Sequence, residues 1–262
     1  MASMPDIRAG RPSRKRSSAG EDRARPVILA CDTSTTVGSV ALVEGGVVTG
    51  ETLVKSLNSH SLRILKDIEA LLATRGLSMD SIDAFVTAGG PGSFTGVRIA
   101  MSTMKGLAWT TKRPLIAIGS LDALARPLLG RDMPALVALD AKRQEVYAAL
   151  FDHDGAILVP PAAMSPETAA ALAGEAAGDR RIICAGEGIE AFAAVFSDRL
   201  QARMVRAAPW EDLIRASVLG VIGTSKFLEG DFADVQTVEP VYLRRSEAEI
   251  NLEKATSANR NS

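Results

Sequence analysis

The chain has 262 residues, 47% of them hydrophobic, enough to bury one large core or two small ones. Its 30 Lys plus Arg against 31 Asp plus Glu leave a formal net charge of -1, which excludes a polycationic nucleic-acid binder and an acidic solvating tail. Two cysteines, Cys31 and Cys184, without C-x-x-C spacing exclude a disulfide framework and point to a reducing, cytoplasmic setting, and no apolar run approaches the roughly 20 residues that cross a bilayer.

Residues 1–26 carry Arg8, Arg11, Arg14, Lys15, Arg16, Arg23 and Arg25 against Asp6, Glu21 and Asp22, with no apolar signal-peptide segment. They read as a disordered basic leader, with a weak nucleic-acid-attracting arm as the alternative. The remainder of the chain is correspondingly acidic, so any RNA contact is local or borrowed from a partner. The apolar run 27–31 reads as a buried strand ending at Asp32, followed by the polar turn Thr33-Ser34-Thr35-Thr36. Strands at 38–43 and 47–53 flank Glu44-Gly45-Gly46, a hairpin whose glycines supply positive φ, so the first three strands form an antiparallel meander. Leu62, Leu65, Ile68 and Leu72 recur at helical spacing over 61–73, and 84–88 is the next buried strand.

Then comes Gly89-Gly90-Pro91-Gly92-Ser93-Phe94-Thr95-Gly96, leading into a helix over 97–110 with Thr95 as its expected N-cap. A strand at 115–118 and a helix from 120 to 129, capped by Ser120, complete an order βββαβαβα. That order fits a mixed sheet of the ribonuclease-H type and not a doubly wound nucleotide fold. The pattern restarts with strands at 135–139, ending at Asp140, then 146–151 and 157–159, which suggests two related halves. A helix begins at Ser165-Pro166, a short strand lies at 182–185, a short helix at 189–196 and a long one at 210–228. An extended segment follows at 239–244.

The Gly-rich loop before a helix has two readings. Free N–H groups and the helix dipole make an anion site, whereas a tight strand-to-helix turn needs glycine for steric reasons alone. It lacks the Lys-Ser/Thr of a phosphate-binding P-loop, misses the dinucleotide glycine spacing, and has Pro91 where a hydrolase elbow needs Gly. Asp32, at a strand end, is placed either to face a metal or phosphate or to cap its own turn through Thr33 and Ser34. His60 and His153 are far apart, with no metal-ligand spacing, so no metal site is expected. Met101 and Met104 read as core by periodicity, with partner surface as the alternative.

The segments 28–35 (ILACDTST), 90–99 (GPGSFTGVRI), 140–147 (DAKRQEVY) and 239–244 (EPVYLR) resemble the TsaB (YeaZ-like) proteins of bacterial tRNA threonylcarbamoyladenosine synthesis. The resemblance implies an α/β, two-domain fold of the actin, sugar-kinase and chaperone-ATPase type. Residues 27–118, completed by 210–245, would form one ribonuclease-H-like domain, 119–209 the second, and 246–262 a flexible tail. The catalytic paralogue TsaD carries a metal-binding histidine motif where this chain has Gly119-Ser-Leu-Asp-Ala-Leu124, without histidine. The resemblance therefore implies a non-catalytic subunit that supports a TsaD-like transferase together with a TsaE-like ATPase. It would meet tRNA only through the complex and need no cofactor of its own, with ATP or ADP at the partner interface or a homodimer of the free chain left open.

It also implies partner-binding residues on the two helices around the glycine loop: Leu62, Leu65, Arg98, Met101 and Lys105. Replacing Arg98 and Met101 by Glu is expected to break the complex while the monomer stays folded. Asp32, Thr33, Ser34, Gly90, Gly92, Ser93, Thr95 and Gly96 form the family motif and the candidate phosphate site. Lys142 and Gln144 stand where relatives more often have Arg and Gly. The rival readings are a nucleotide-dependent phosphotransferase or ATPase using Asp32 and the glycine loop, and a metalloprotease, which the missing ligands disfavour.

Overall fold

The computed structural model describes residues 25–55 and 61–243, with residues 61 and 62 in backbone alone. Residues 1–24 of the leader, His60, Arg244 and the tail at 246–262 lie outside the described residues. Strand β1 (Val27–Asp32) is buried along its whole length, because its apolar run faces helices or strands on both sides. β2 (Val37–Glu44) and β3 (Val47–Lys55) complete the expected meander through a turn with Gly45 and Gly46 at φ 58° and 83°. β4 (Ala84–Ala88) and β5 (Leu115–Ile118) add in parallel on the other side of β1, giving the order β3-β2-β1-β4-β5.

A second sheet contains β6 (Ala135–Lys142), β7 (Glu145–Phe151), β8 (Ile157–Met164), β9 (Ile182–Ala185) and β10 (Met204–Arg206), in the order β10-β9-β6-β7-β8. β6 is antiparallel to β7 and parallel to β9, as β1 is to β2 and β4. Read from its other edge, the second sheet repeats the first strand for strand. The echo in the sequence is thus a repeated topology, and the fold is the α/β class expected, with two mixed ribonuclease-H-like sheets.

Alternation along the strands sorts the apolar side chains into three cores. Val27, Leu29 and Cys31 face α1 (Ser61–Arg75) and α2 (Phe94–Thr111), together with Ile64, Ile68, Met101 and Met104. Ile28 and Ala30 point the other way, into a central core shared with Leu136's neighbours Ala135 and Val137 of the second sheet. On the far side, Leu136, Ala138 and Leu150 pack against α4 (Pro166–Ala177), α5 (Glu187–Ala191) and α6 (Ala193–Leu200). The central layer is filled by two helices, α3 (Ser120–Ala125), which packs on β6 and β7, and α7 (Ala216–Glu229), which packs on β1, β2 and β4. Each sheet is therefore covered on its inner face by the helix that follows the last strand of the other. No helix among the described residues is long and apolar enough to cross a membrane.

Several boundaries differ from the sequence reading for identifiable reasons. Helix α2 begins at Phe94, and Ser93, not Thr95, is its N-cap, its hydroxyl accepting the Gly96 N–H at 3.3 Å. Gly119 occupies the α3 N-cap in place of Ser120, and the helix gives way to a 3-10 turn at Arg126–Leu128. The helix expected at 189–196 is two pieces, broken at Phe192 with φ -122° and ψ 34°. The long helix starts only at Ala216, because Glu211 and Asp212 are drawn away from helical use. Glu211 pairs with Arg131, and Asp212 accepts the Gly186 N–H at 2.5 Å and pairs with Arg206.

Helix α7 lies unusually close to the first sheet. A Cβ on Gly220 or Gly223 would fall 2.5 Å from Val43 Cγ2 or Val86 Cγ2, in the middle of buried strands that cannot retreat. Glycine's cost in helix propensity, about 1 kcal/mol each, is offset by this approach. Gly223→Val is expected to lower unfolding stability in urea by about 1–3 kcal/mol through overpacking. Val221→Ala on the solvent side of the same turn should change it by no more than about 0.5 kcal/mol.

Candidate functional site

The glycine loop and the end of β1 are folded onto one another. The Thr33 hydroxyl donates to the Gly96 carbonyl at 2.6 Å, and the Ser93 N–H donates to the Ser34 carbonyl at 2.7 Å. A Cβ on Gly96 would run into the Thr33 carbonyl, and one on Gly92 would lie 2.5 Å from the Ser34 carbonyl. On the other side of the loop, the Gly89 carbonyl accepts the Val241 N–H at 2.8 Å, while the Gly90 carbonyl accepts the Ser120 N–H at 2.8 Å. Gly90 has φ 96° and approaches the Val241 carbonyl as closely as 2.7 Å, measured to an added Cβ. Backbone-to-backbone packing thus explains these glycines. Of the loop's N–H groups, those of Gly89, Ser93 and Gly96 already donate to Ile118, Ser34 and Ser93 Oγ. Thr95 is exposed on the first turn of α2.

Asp32 is fully buried beneath this loop. Its Oδ1 accepts the Ser34 N–H at 3.0 Å, the turn-capping role, while Oδ2 has no hydrogen-bond partner. Burial pushes its pKa up to about 6; the hydroxyl and amide of Ser34 pull it down, and Glu187 of α5 adds a repulsive push. The Ser34 hydroxyl, near enough to Asp32 to lower its pKa, makes no regular hydrogen bond, and neither does the buried Ser120 hydroxyl, so the floor is polar and under-satisfied.

Opposite Asp32, the second sheet repeats the device at the end of β6. Asp140 Oδ1 accepts the Lys142 N–H at 2.7 Å, and Lys142 Nζ closes on Oδ2 at 2.6 Å. Glu187, beside this pair, has its carboxyl pKa raised by burial, with Lys142 opposing and Asp140 reinforcing the shift. Lys142, Arg143 and Gln144 all have left-handed backbone, with φ 62°, 53° and 63°. A glycine at 144 would adopt that conformation without a Cβ penalty. The cleft ends of both sheets are therefore lined by carboxylates, one paired with lysine and one buried. Both cysteines are buried and free, and burial pushes the Cys184 thiol up to about 12, so neither is poised as a nucleophile. Asp152, His153 and Asp154 bring ligating atoms within 4.8 Å on the β7–β8 turn, but Asp152 is already engaged by Arg180 at 2.8 Å.

The helix residues divide differently from expectation. Leu65 is 55% exposed on α1, beside an apolar groove with Leu72, Leu77 and Met79. The Leu62 side chain lies outside the described residues. Met101 is only 2% exposed, packed in the core under α2, so a Glu there would bury a charge and unfold the site; the expectation that the monomer would tolerate it is corrected. Arg98 donates from Nε to the Tyr242 hydroxyl at 2.7 Å and lies 3.8 Å over the Phe94 ring, and Lys105 Nζ donates to the Val238 carbonyl at 2.8 Å. Sequence reasoning missed Phe94, Trp109 and Tyr242, which are 39%, 62% and 40% exposed. Tyr242 lay within a quoted motif, but nothing local connects it to a helix 144 residues away.

Because the folded pKa of Asp32, about 6, exceeds its ordinary 3.8, its contribution to stability is full below pH 4 and is lost as pH rises through 6. The wild-type chain should therefore lose about 2 kcal/mol relative to Asp32→Asn between pH 4 and 7. Urea unfolding of both proteins across that range measures the difference.

The family model described as TsaD, tRNA N6-adenosine threonylcarbamoyltransferase, matches residues 44–252. The tRNA threonylcarbamoyladenosine biosynthesis protein TsaB of Bacillus subtilis is 30% identical over 227 residues, covering 85% of this chain and 96% of that protein. Its namesake from Escherichia coli is 32% identical over 238 residues, covering 84% and 96%. Among solved structures, YeaZ from Pseudomonas aeruginosa superposes with a TM-score of 0.70 at 27% identity, covering 83% of this chain and all of that one. With the repeated sheets and the packed glycine loop, these matches assign the chain to the TsaB (YeaZ) family of tRNA threonylcarbamoyladenosine biosynthesis proteins, within the wider family that the TsaD model describes.

Proposed function

We propose that the chain is the non-catalytic subunit that binds and supports a TsaD-like transferase in threonylcarbamoyladenosine modification of tRNA. The observation that carries this reading is the contrast between the two faces of α2. On its inner side the glycine loop is closed by its own backbone contacts and Asp32 is shut away. On its outer side, α1 and α2 offer exposed Leu65, Phe94 and Trp109. Large apolar side chains exposed on neighbouring helices suit a protein interface better than solvent. An aspartate that already caps its own turn beneath a closed loop is poorly placed to accept a proton from a substrate hydroxyl.

In this reading, tRNA and a TsaE-like ATPase are met through the assembled complex, in keeping with the near-neutral charge of the chain. Docking needs no cofactor, and any ATP or ADP would bind where the two chains meet. The setting is cytoplasmic, where tRNA modification takes place.

Size-exclusion chromatography with light scattering, of this chain alone and mixed with the TsaD-like protein from the same genome, tests the proposal alongside an assay of threonylcarbamoyl transfer to tRNA. A mixed complex, active only when both chains are present, is the expected result. Leu65→Glu, at an exposed position, should weaken association by roughly tenfold or more without changing the unfolding midpoint. No association, together with ATP turnover by the isolated chain that Asp32→Asn abolishes, would overturn the reading in favour of a phosphotransferase or ATPase.

A further inference from the structure

After α7, the chain returns across the first sheet and over α2. The Ala233 N–H donates to the Leu115 carbonyl at 2.9 Å, extending the edge of β5 by one antiparallel bridge. Asp234 then organises a turn, accepting the N–H groups of Gln236 and Val238 at 2.8 Å each, and Val235 and Val238 pack onto the α1–α2 core. From there the segment crosses α2 and is held at three points. Lys105 Nζ meets the Val238 carbonyl, the Val241 N–H meets the Gly89 carbonyl, and Tyr242 is clasped by Arg98 and Phe94, the two rings lying 5.1 Å apart.

The clasp has a definite chemistry. The Arg98 guanidinium lies over the face of Phe94 and uses Nε on the Tyr242 hydroxyl, so one cation joins two rings from distant parts of the chain. Arg98 and Lys105, the cations on this face of α2 that the resemblance marks as partner-binding candidates, both spend hydrogen bonds on their own chain. The large apolar side chains that the strap leaves outward are Phe94, Val241 at 55% exposure and Tyr242, with the exposed Glu239 beside them.

We propose that residues 233–242 are a latched strap and that Arg98 is the positioning residue that holds it, shaping the outer face of α2 instead of reaching out to a partner. The catalytic subunit then meets a composite surface made by the first turn of α2 and the strap together, with Phe94, Val241 and Tyr242 as its apolar part, and this second step rests on the partner role proposed above.

Hydrogen exchange on the full chain reads the latch without any partner. In Arg98→Gln and Tyr242→Ala, exchange at the Val241 amide should rise roughly tenfold or more, since about one net hydrogen bond and a ring contact are lost. The Ala233 amide, which bonds to β5, should stay as protected as in the wild type. Tyr242→Phe, which keeps the ring on Phe94 and lacks the hydroxyl, should fall between. Unchanged Val241 protection in Arg98→Gln overturns the latch. Should that variant lose protection throughout the core, Tyr242→Phe decides the matter: selective exchange at Val241 supports the latch and none overturns it.

The binding step is separated by the chromatography above. If Leu65→Glu abolishes the complex while Arg98→Gln, its strap released, binds as the wild type does, the composite surface is wrong and the partner role stands. If the wild-type chains do not associate, the partner role fails, and the latch is judged on the exchange data alone.

Discussion

The packing of one backbone turn directly onto another, Gly92 and Gly96 against Thr33 and Ser34, is the contact on which the surroundings of the site depend. Side-chain packing tolerates small adjustments by rotamer changes, but two peptide units in van der Waals contact leave no such freedom. Because the loop is pinned to the end of β1, Ser93 is set at the position from which it caps α2. The same loop presents Gly89 and Gly90 to residue 241 and to Ser120, so the floor of the cleft, the outer helix and the returning strap share one rigid joint. Asp32 sits under that joint as a consequence of topology, and its raised pKa reflects the cover placed over it.

The repeat of strand order between the sheets gives a physical frame for comparing their cleft ends. Each first strand closes on an aspartate that accepts the N–H two residues onward, a short local bond that needs no partner from the rest of the fold. What differs is the environment. The first aspartate is sealed by glycine packing, whereas the second stays near solvent and is neutralised by a lysine two residues on. One topology thus holds one carboxyl with a raised pKa and one in an ion pair, and Glu187 links them electrostatically.

Much of this was legible in the sequence where apolar runs, turn glycines and alternation agree. Strands β4, β5 and β9 have the boundaries that the residues suggest, since each is a short buried run between clear breakers. Legibility failed where a residue's local preference was outbid from afar. Thr95 and Ser93 are both capping residues by type, and the Ser93 N–H bond to the Ser34 carbonyl favours Ser93. Glu211 and Asp212 look like ordinary first-turn helix acids until Arg131, Gly186 and Arg206 claim them. Three-residue β10 carries too little pattern to be seen. At the candidate interface, the resemblance picks out exposed Leu65, but it also picks out Met101, which periodicity already places in the core, so the resemblance could not tell the inner face of α2 from the outer. Nor could it tell that Arg98 answers to a tyrosine whose position is fixed by the tertiary path of the strap.

The crossing of α3 and α7 between the sheets bears on how the molecule could be divided. A cut in the connection near residues 130–134 would separate the strands of the two sheets cleanly, yet each fragment would carry away the helix that covers the other's inner face. Neither piece would keep a closed core, because Ile28 and Ala30 on one side and Val137 on the other would lose their lid. Two such fragments would have to find each other to fold, in the manner of a complementing split protein. The repeated halves are structurally alike, but in this arrangement they are obligate cohabitants and not modules that could be exchanged or expressed singly.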